Sequence, residues 1–203
     1  MNVIFKAHDL PASLNIDRYK AKRAVAVDIE TTGLDWRDNS IASFQVYGGG
    51  SVYVIKAGSG LPQKMIELIE RPDICKVFHY ALFDLNFMVN QWQIEPQNIA
   101  CTKVASKLVD PTRRDHSLKS LLRDKLGIRI DKRMRTSNWA AKKLSDAQLK
   151  YAAKDVFYLP RLLAVLKKEL VKNGQWELTQ ACYNFIPRQV QLDQSGIKGV
   201  FDY

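Results

Sequence analysis

Two acidic residues, Asp28 and Glu30, close a short apolar run, Ala24-Val25-Ala26-Val27. If that run is a β-strand, residues two apart point to the same face, and the two carboxylates stand side by side at the strand's end. Like charges held together resist ionisation unless a cation neutralises them. A second pair, Tyr151 and Asp155, is spaced four apart in Tyr151-Ala152-Ala153-Lys154-Asp155. On a helix that spacing puts phenol and carboxylate on one face. A further acid, Asp84, ends His79-Tyr80-Ala81-Leu82-Phe83-Asp84, where a strand-like stretch gives way to a helix-like one. The helix dipole favours an acid there, so Asp84 also reads as an ordinary first-turn residue. Tyr80 has the same spacing to Asp84. It sits at a strand-to-helix junction, however, where the spacing does not imply a shared face, so Tyr151 is the favoured functional tyrosine.

Singly, each signal is weak, because an Asp at a strand end is commonly a turn former or a helix cap. Together, four carboxylates and a phenol suit phosphodiester hydrolysis with two divalent ions. Mg²⁺ and Mn²⁺ take oxygen ligands, and two of them about 4 Å apart activate water and stabilise a leaving oxygen. A tyrosine hydroxyl can orient the water without competing for metal.

The elements that must position these groups are legible in outline. Residues 24–28 predict a buried strand, which Gly33 ends. Ile41 to Tyr47 and Ser51 to Ile55 predict two more strands, joined as a hairpin through Gly48-Gly49-Gly50. Leu61 to Glu70 has helical spacing, with Pro62 near its start. Cys75 to His79 predicts a strand and Phe83 to Trp92 a helix. Ile99 to Thr102 predicts a brief strand, followed by a helix to Leu108. Leu118, Leu121, Leu122 and Leu126 predict a helix stopped by Gly127. Ser145-x-x-Gln148 has the form of a capping box, so a long helix follows, kinked or broken at Pro160. A last helix is expected from Trp176 to Tyr183. Residues 109–117 and 128–144 lack clear periodicity and read as loops. The pattern predicts an α/β fold with a mixed central sheet flanked by helices.

Bulk properties bound the rest. The chain has 203 residues, 46% of them hydrophobic and 26% charged, which suits one folded domain. No apolar run is long enough to span a bilayer, and the N-terminus does not read as a secretory signal. Cys75, Cys101 and Cys182 are odd in number and in no metal-ligand spacing. They are expected to be reduced thiols in a cytoplasmic setting. The net charge is +10, and residues 113–143 hold eleven Lys/Arg against three acids, a net +8. Such a stretch attracts phosphates, and an ordinary solvated helix face is the alternative.

The ordered set Asp28-x-Glu30-Thr31-Thr32-Gly33-Leu34, then His79 to Asp84, then Tyr151-x-x-x-Asp155 resembles the three exonuclease motifs of the DEDD superfamily, tyrosine subclass. Leu144-Ser145-x-x-Gln148-x-x-Tyr151-Ala152-Ala153-x-Asp155 resembles the RNase D branch in particular. The resemblance runs from about Val25 to beyond Leu163. RNase D is longer, with C-terminal helical domains for which this chain has no room. The chain therefore looks most like nano-RNase C, a group that degrades very short RNAs down to dinucleotides as a ring-like homo-octamer.

The resemblance implies an RNase H-like fold and 3′→5′ exonuclease chemistry with two Mg²⁺ or Mn²⁺ ions. Its partners would be short single-stranded RNA, or DNA, and other copies of the chain, with no membrane. The domain would be residues 1–203, with 164–203 a C-terminal helical extension. Asp28 would bridge both metals, Glu30 and Asp155 would complete one site, and Asp84 would hold the second. Tyr151 would help to orient the attacking water. Leu34 occupies the place of an apolar wedge between the last two bases, or is a core leucine. His79 would meet the 3′ end of the substrate, or is simply a packed histidine. Thr31 and Thr32 would hydrogen-bond the terminal nucleotide, and Lys132, Arg133 and Arg135 would grip phosphates. In one departure, Ser137-Asn138-Trp139 stands where the branch commonly has Ser-Asp-Trp followed by Arg-Pro. Three other readings compete: a catalytically silent nucleic-acid binder, a proofreading DNA exonuclease domain and a scaffold. All five chemical positions being intact argues against the first, and clustered acids against the last.

Overall fold

The computed structural model describes residues 1–20, 24–131, 133–134 and 136–202. Its strands are β1 (Asn2–Ala7), β2 (Val25–Thr31), β3 (Ile41–Tyr47), β4 (Ser51–Lys56), β5 (Lys76–Phe78) and β6 (Ile99–Cys101). Its helices are α1 (Gln63–Glu70), α2 (Ala81–Trp92), α3 (Thr102–Val109), α4 (Leu118–Leu126), α5 (Asp146–Phe157), α6 (Leu159–Lys172) and α7 (Trp176–Gln194). The strands form one mixed sheet in the order β1-β4-β3-β2-β5-β6. Neighbours β2, β3 and β4 are antiparallel, whereas β1 on β4, β5 on β2 and β6 on β5 are parallel.

β2 lies near the middle of this sheet, which explains its composition. Val25, Ala26 and Val27 are fully buried, as expected of a strand covered on both faces. The β3–β4 hairpin turns as expected, with Gly49 at φ 97° and Gly50 at φ 79°, conformations that disfavour side chains. Gly48 is required for a different reason: a Cβ there would lie 2.3 Å from the Tyr19 ring.

The helices are organised around α5, which packs across β2, β3 and β4. The expected capping box is present, with Ser145 accepting from the Gln148 N–H and the Gln148 side chain accepting from the Ser145 N–H. α5 ends at Phe157, and α6 begins at Leu159 with Pro160 in its first turn. There a missing N–H costs little, because the first-turn N–H groups of a helix have no acceptor within that helix.

Two features depart from the sequence reading. The N-terminal segment forms β1, an edge strand with mostly exposed side chains; its weak alternation gave no strand signal. The last helix runs eleven residues past Tyr183, to Gln194. It passes through Pro187 because buried Ile186 and Val190 hold it against the core. Its end is also clipped to α2, where Asn86 donates to Asp193 (2.8 Å) and Gln194 donates to the Asn86 carbonyl (3.0 Å). Val109, expected in a loop, is the last residue of α3; the 110–117 and 128–144 stretches hold no strand or helix among their described residues. The three cysteines are free thiols.

Candidate active site

β2 delivers the first two acids. Asp28 and Glu30 are both half-buried, and Ile29 between them points into the core, 4% exposed. At the end of this strand the pairing with β3 slips: Glu30 faces Ser43 but Thr31 faces Ile41, leaving Ala42 unpaired. A bulge of this kind bends a strand and re-aims its side chains. Here it coincides with the carboxylates.

α5 delivers the next acid. Carboxylate oxygens of Asp28, Glu30 and Asp155 all lie within 4.8 Å of one another. That spacing is close to what oxygen ligands of one hard divalent ion require, at about 2.0–2.6 Å from the metal. The donor set therefore fits such an ion, and three anions this close have a clear reason to bind one.

Asp84 approaches from α2, where it sits in the first turn and is 3% exposed. Its Oδ1 accepts the N–H of Ile29 at 3.1 Å. Pairing of β2 with β5 has run out by then, the last partners being Ala26 and Val77. Asp84 thus satisfies a backbone donor that no strand reaches. Burial pushes its carboxyl well above the usual range, the charge of Asp28 adds to the push, and the Ile29 hydrogen bond opposes it. It stands beside Asp28, outside the three-oxygen cluster.

Tyr151 is 6% exposed and faces the acids. Burial raises its phenol far above the ordinary value, as do the nearby charges of Asp155, Glu30 and Asp28 and a hydrogen bond with Asp155. It is therefore a neutral hydroxyl, not a phenolate, at any working pH. Tyr80 is different. It caps α2 in the left-handed region (φ 77°), is 49% exposed, stacks on Phe83 and carries Lys103 over its ring at 4.0 Å.

The remaining expected residues divide. Leu34 is 85% exposed at the turn after β2, which excludes a core role. That turn is rigid: Thr31 donates to the Gly33 carbonyl (2.6 Å), and Thr32 accepts from the Ser40 N–H (3.0 Å). Both threonine hydroxyls thus serve the turn. His79 is half-buried, with Nδ1 2.9 Å from Thr102 Oγ1. Thr102 Oγ1 also donates to the Phe78 carbonyl at 3.2 Å. Arg133 is exposed but bound to Asp131 at 2.6 Å, while Lys132 and Arg135 lie outside the described residues.

Sequence reasoning missed the place of Trp139 and Gln148 beside Tyr151. Trp139 is buried against Tyr151, ring centroids 5.9 Å apart, and Gln148 ties the loop before Trp139 to α5. Both stand in recognisable sequence elements, Gln148 in the capping box and Trp139 in Ser137-Asn138-Trp139, but the contact that joins them to Tyr151 is tertiary; Gln148 preceding Tyr151 by three residues on one helical stripe was the signal for it. A cavity of about 700 Å³ lies elsewhere, lined by residues including Ala24, Cys75, Lys167, Lys168, Trp176 and Tyr183. No carboxylate lines it, so the chemistry belongs at the acid cluster.

Residues 3–171 match a sequence profile described as a 3′–5′ exonuclease. Among solved structures, NrnC of Brucella melitensis bound to pGG is 38% identical, with a TM-score of 0.89 over 97% of this chain and 95% of that one. The same organism's NrnC with bound Mg²⁺ is 37% identical, with a TM-score of 0.88 over 97% and 95%. Ribonuclease D of Haemophilus influenzae is 30% identical over 157 residues, 77% of this chain. The chain spans 39% of that longer relative.

Proposed function

The chain belongs to the 3′–5′ exonuclease family, in its RNase D and NrnC-like branch, and on that premise we propose that it removes 5′-mononucleotides from the 3′ end of very short RNAs, dinucleotides included. The observation that carries this reading is the meeting of three carboxylates within 4.8 Å beside the buried hydroxyl of Tyr151.

Asp28, Glu30 and Asp155 would hold one divalent ion, and Asp84 beside Asp28 would hold a second, directly or through water. Bound Mg²⁺ or Mn²⁺ would supply Lewis acidity and a water of lowered pKa. The protein's own groups do the placing. Tyr151 donates its proton to Asp155 and keeps its oxygen lone pair for the attacking water, fixing that water's direction. The water oxygen bonds to phosphorus as the P–O3′ bond breaks. One water proton reaches the departing O3′, and the other passes to solvent. The freed nucleotide keeps the phosphate on its 5′ oxygen.

Leu34, exposed on the turn after β2, would slip between the last two bases, and His79 would meet the 3′ end of the substrate. Residues 1–203 would act as one unit, because one apolar core runs from Leu10 to Val190. We further take the working form to be a cytoplasmic homo-octamer, on the likeness to nano-RNase C. Among the described residues, no helix is long and apolar enough to cross a membrane.

The test uses 5′-labelled RNAs of two, five and twenty nucleotides with wild type and Asp155→Ala, in Mg²⁺, Mn²⁺ or EDTA. Metal-dependent loss of the dinucleotide, at least about 10³-fold slower in the variant, supports the reading. A shortened twenty-mer beside an intact dinucleotide would replace it with general RNA trimming. Binding without cleavage of any RNA would replace it with a silent binding module.

A further inference from the structure

Trp139 lies in a stretch without helix or strand, yet it is 3% exposed. Its ring lies 5.9 Å from that of Tyr151, tilted by 44°. The first turn of α5 holds it there. Gln148 Oε1 accepts the Ser145 N–H at 2.9 Å, closing the helix cap. The Nε2 of the same side chain donates to Ser137 Oγ and to the Asn138 carbonyl, both at 3.1 Å. Ser137 is fixed from its other side through Met134, whose carbonyl accepts its N–H (3.0 Å) and its hydroxyl (2.7 Å). Gln148, Tyr151 and Asp155 fall at i, i+3 and i+7, one stripe of the helix. The residue that caps α5 therefore also fastens the two residues before Trp139 onto the stripe that carries Tyr151.

Among the described residues the indole has no polar anchor: its Nε1–H is buried without a hydrogen-bond partner there, a cost that phenylalanine would remove. What the large ring does at this place is pack against Tyr151. A phenol aimed at a water must hold its rotamer, because small misplacements of a reacting geometry are expensive.

We propose that Trp139 is a positioning residue for Tyr151, with Gln148 as the clamp that holds it in place. The 137–139 segment thereby sets the direction of the phenol, and with it the direction of the attacking water. This rests on the reading of Tyr151 given above, so the experiment carries a readout that does not need turnover.

Trp139→Ala, Trp139→Phe and Gln148→Glu are compared with wild type on the dinucleotide pGG with Mn²⁺. Tyr151 is also nitrated with tetranitromethane and followed by peptide mass. In Trp139→Ala, kcat is expected to fall about 100-fold with KM within about threefold, while Trp139→Phe recovers to within about fivefold of wild type. Gln148→Glu keeps a Ser-x-x-Glu capping box, so α5 stays capped. It lacks the Nε2 donor, so its kcat should fall towards that of Trp139→Ala. Nitration of Tyr151 should be faster in Trp139→Ala and Gln148→Glu. Wild-type kcat and nitration in Trp139→Ala, with only a lower melting temperature, would overturn the proposal. If Trp139→Ala does not fold, Gln148→Glu decides, and unchanged kcat and nitration there overturn it. If wild type cleaves nothing, the functional reading fails, while nitration still reports whether Trp139 holds Tyr151.

Discussion

At the scale of single residues, Asp84 makes the clearest commitment. Its carboxyl is buried beside Asp28 and pushed well above the usual range. A carboxyl raised on folding binds more protons in the folded than in the unfolded state, so it costs stability as pH rises past the ordinary carboxylate value. The metal-free protein carries that cost at neutral pH. Asp84→Asn retains an oxygen for the Ile29 N–H and removes the charge. It should be more stable than wild type without metal at pH 7, by about 1–3 kcal/mol. The order should reverse with Mg²⁺: wild type gains about 2.7 kcal/mol at one hundred times Kd, and the variant gains less. Thermal melts at matched pH with EDTA or Mg²⁺ test both halves, and an Asp84→Asn protein less stable than wild type in EDTA would refute the cost. That Asp28 and Glu30 share one strand, and Tyr151 and Asp155 one helix, was legible because their spacings match the periods of strand and helix. The second duty of Asp84, closing a gap in the sheet, was not. It depends on where β5 stops, a tertiary fact with no local pattern.

At the scale of elements, β5 shows why short strands were read well and their neighbours less so. Its three residues are fully buried, and one of them is Lys76. The ammonium is bound to the Arg71 carbonyl, and burial pulls its pKa down to about 8. A depressed lysine means that the unfolded chain binds more protons between about pH 8 and the ordinary value of 10.5. Stability should therefore rise with pH across that window, by on the order of 3 kcal/mol. In Lys76→Met the rise should be missing, and urea midpoints at pH 7.5, 9 and 10.5 measure it. Equal slopes in both proteins would place the ammonium in water. No sequence pattern predicts a buried lysine, because burial of a charge depends on one carbonyl reaching it. By contrast, the capping box of α5 and the break at Pro160 were legible, since both follow from backbone groups within a few residues. α7 ran past its predicted end because packing of Ile186 and Val190 outweighs the local penalty of Pro187.

At the scale of the whole molecule, the charge reads differently in three dimensions than along the chain. The +8 of residues 113–143 suggested a surface for phosphates. Among the described residues, four of the stretch's eleven cations are held in ion pairs. Arg113 and Arg123 share Asp124 at 2.5 and 2.6 Å, Lys125 meets Glu169 at 2.6 Å, and Arg133 meets Asp131 at 2.6 Å. A cation held by a carboxylate releases few counterions when a phosphate arrives, so those four add little to phosphate binding. A dinucleotide offers about two phosphates, which for single strands corresponds to a salt slope of about −1.4 in log K against log salt. The twenty-mer should show nearly the same slope, because only its 3′ end would be held and the paired surface would add little. Titration calorimetry of Asp155→Ala with both RNAs, from 50 to 300 mM NaCl, separates the cases. A twenty-mer slope steeper than about −4 would mean that these ion pairs open to admit a backbone. The chain would then act on long RNA, with the basic stretch as its track.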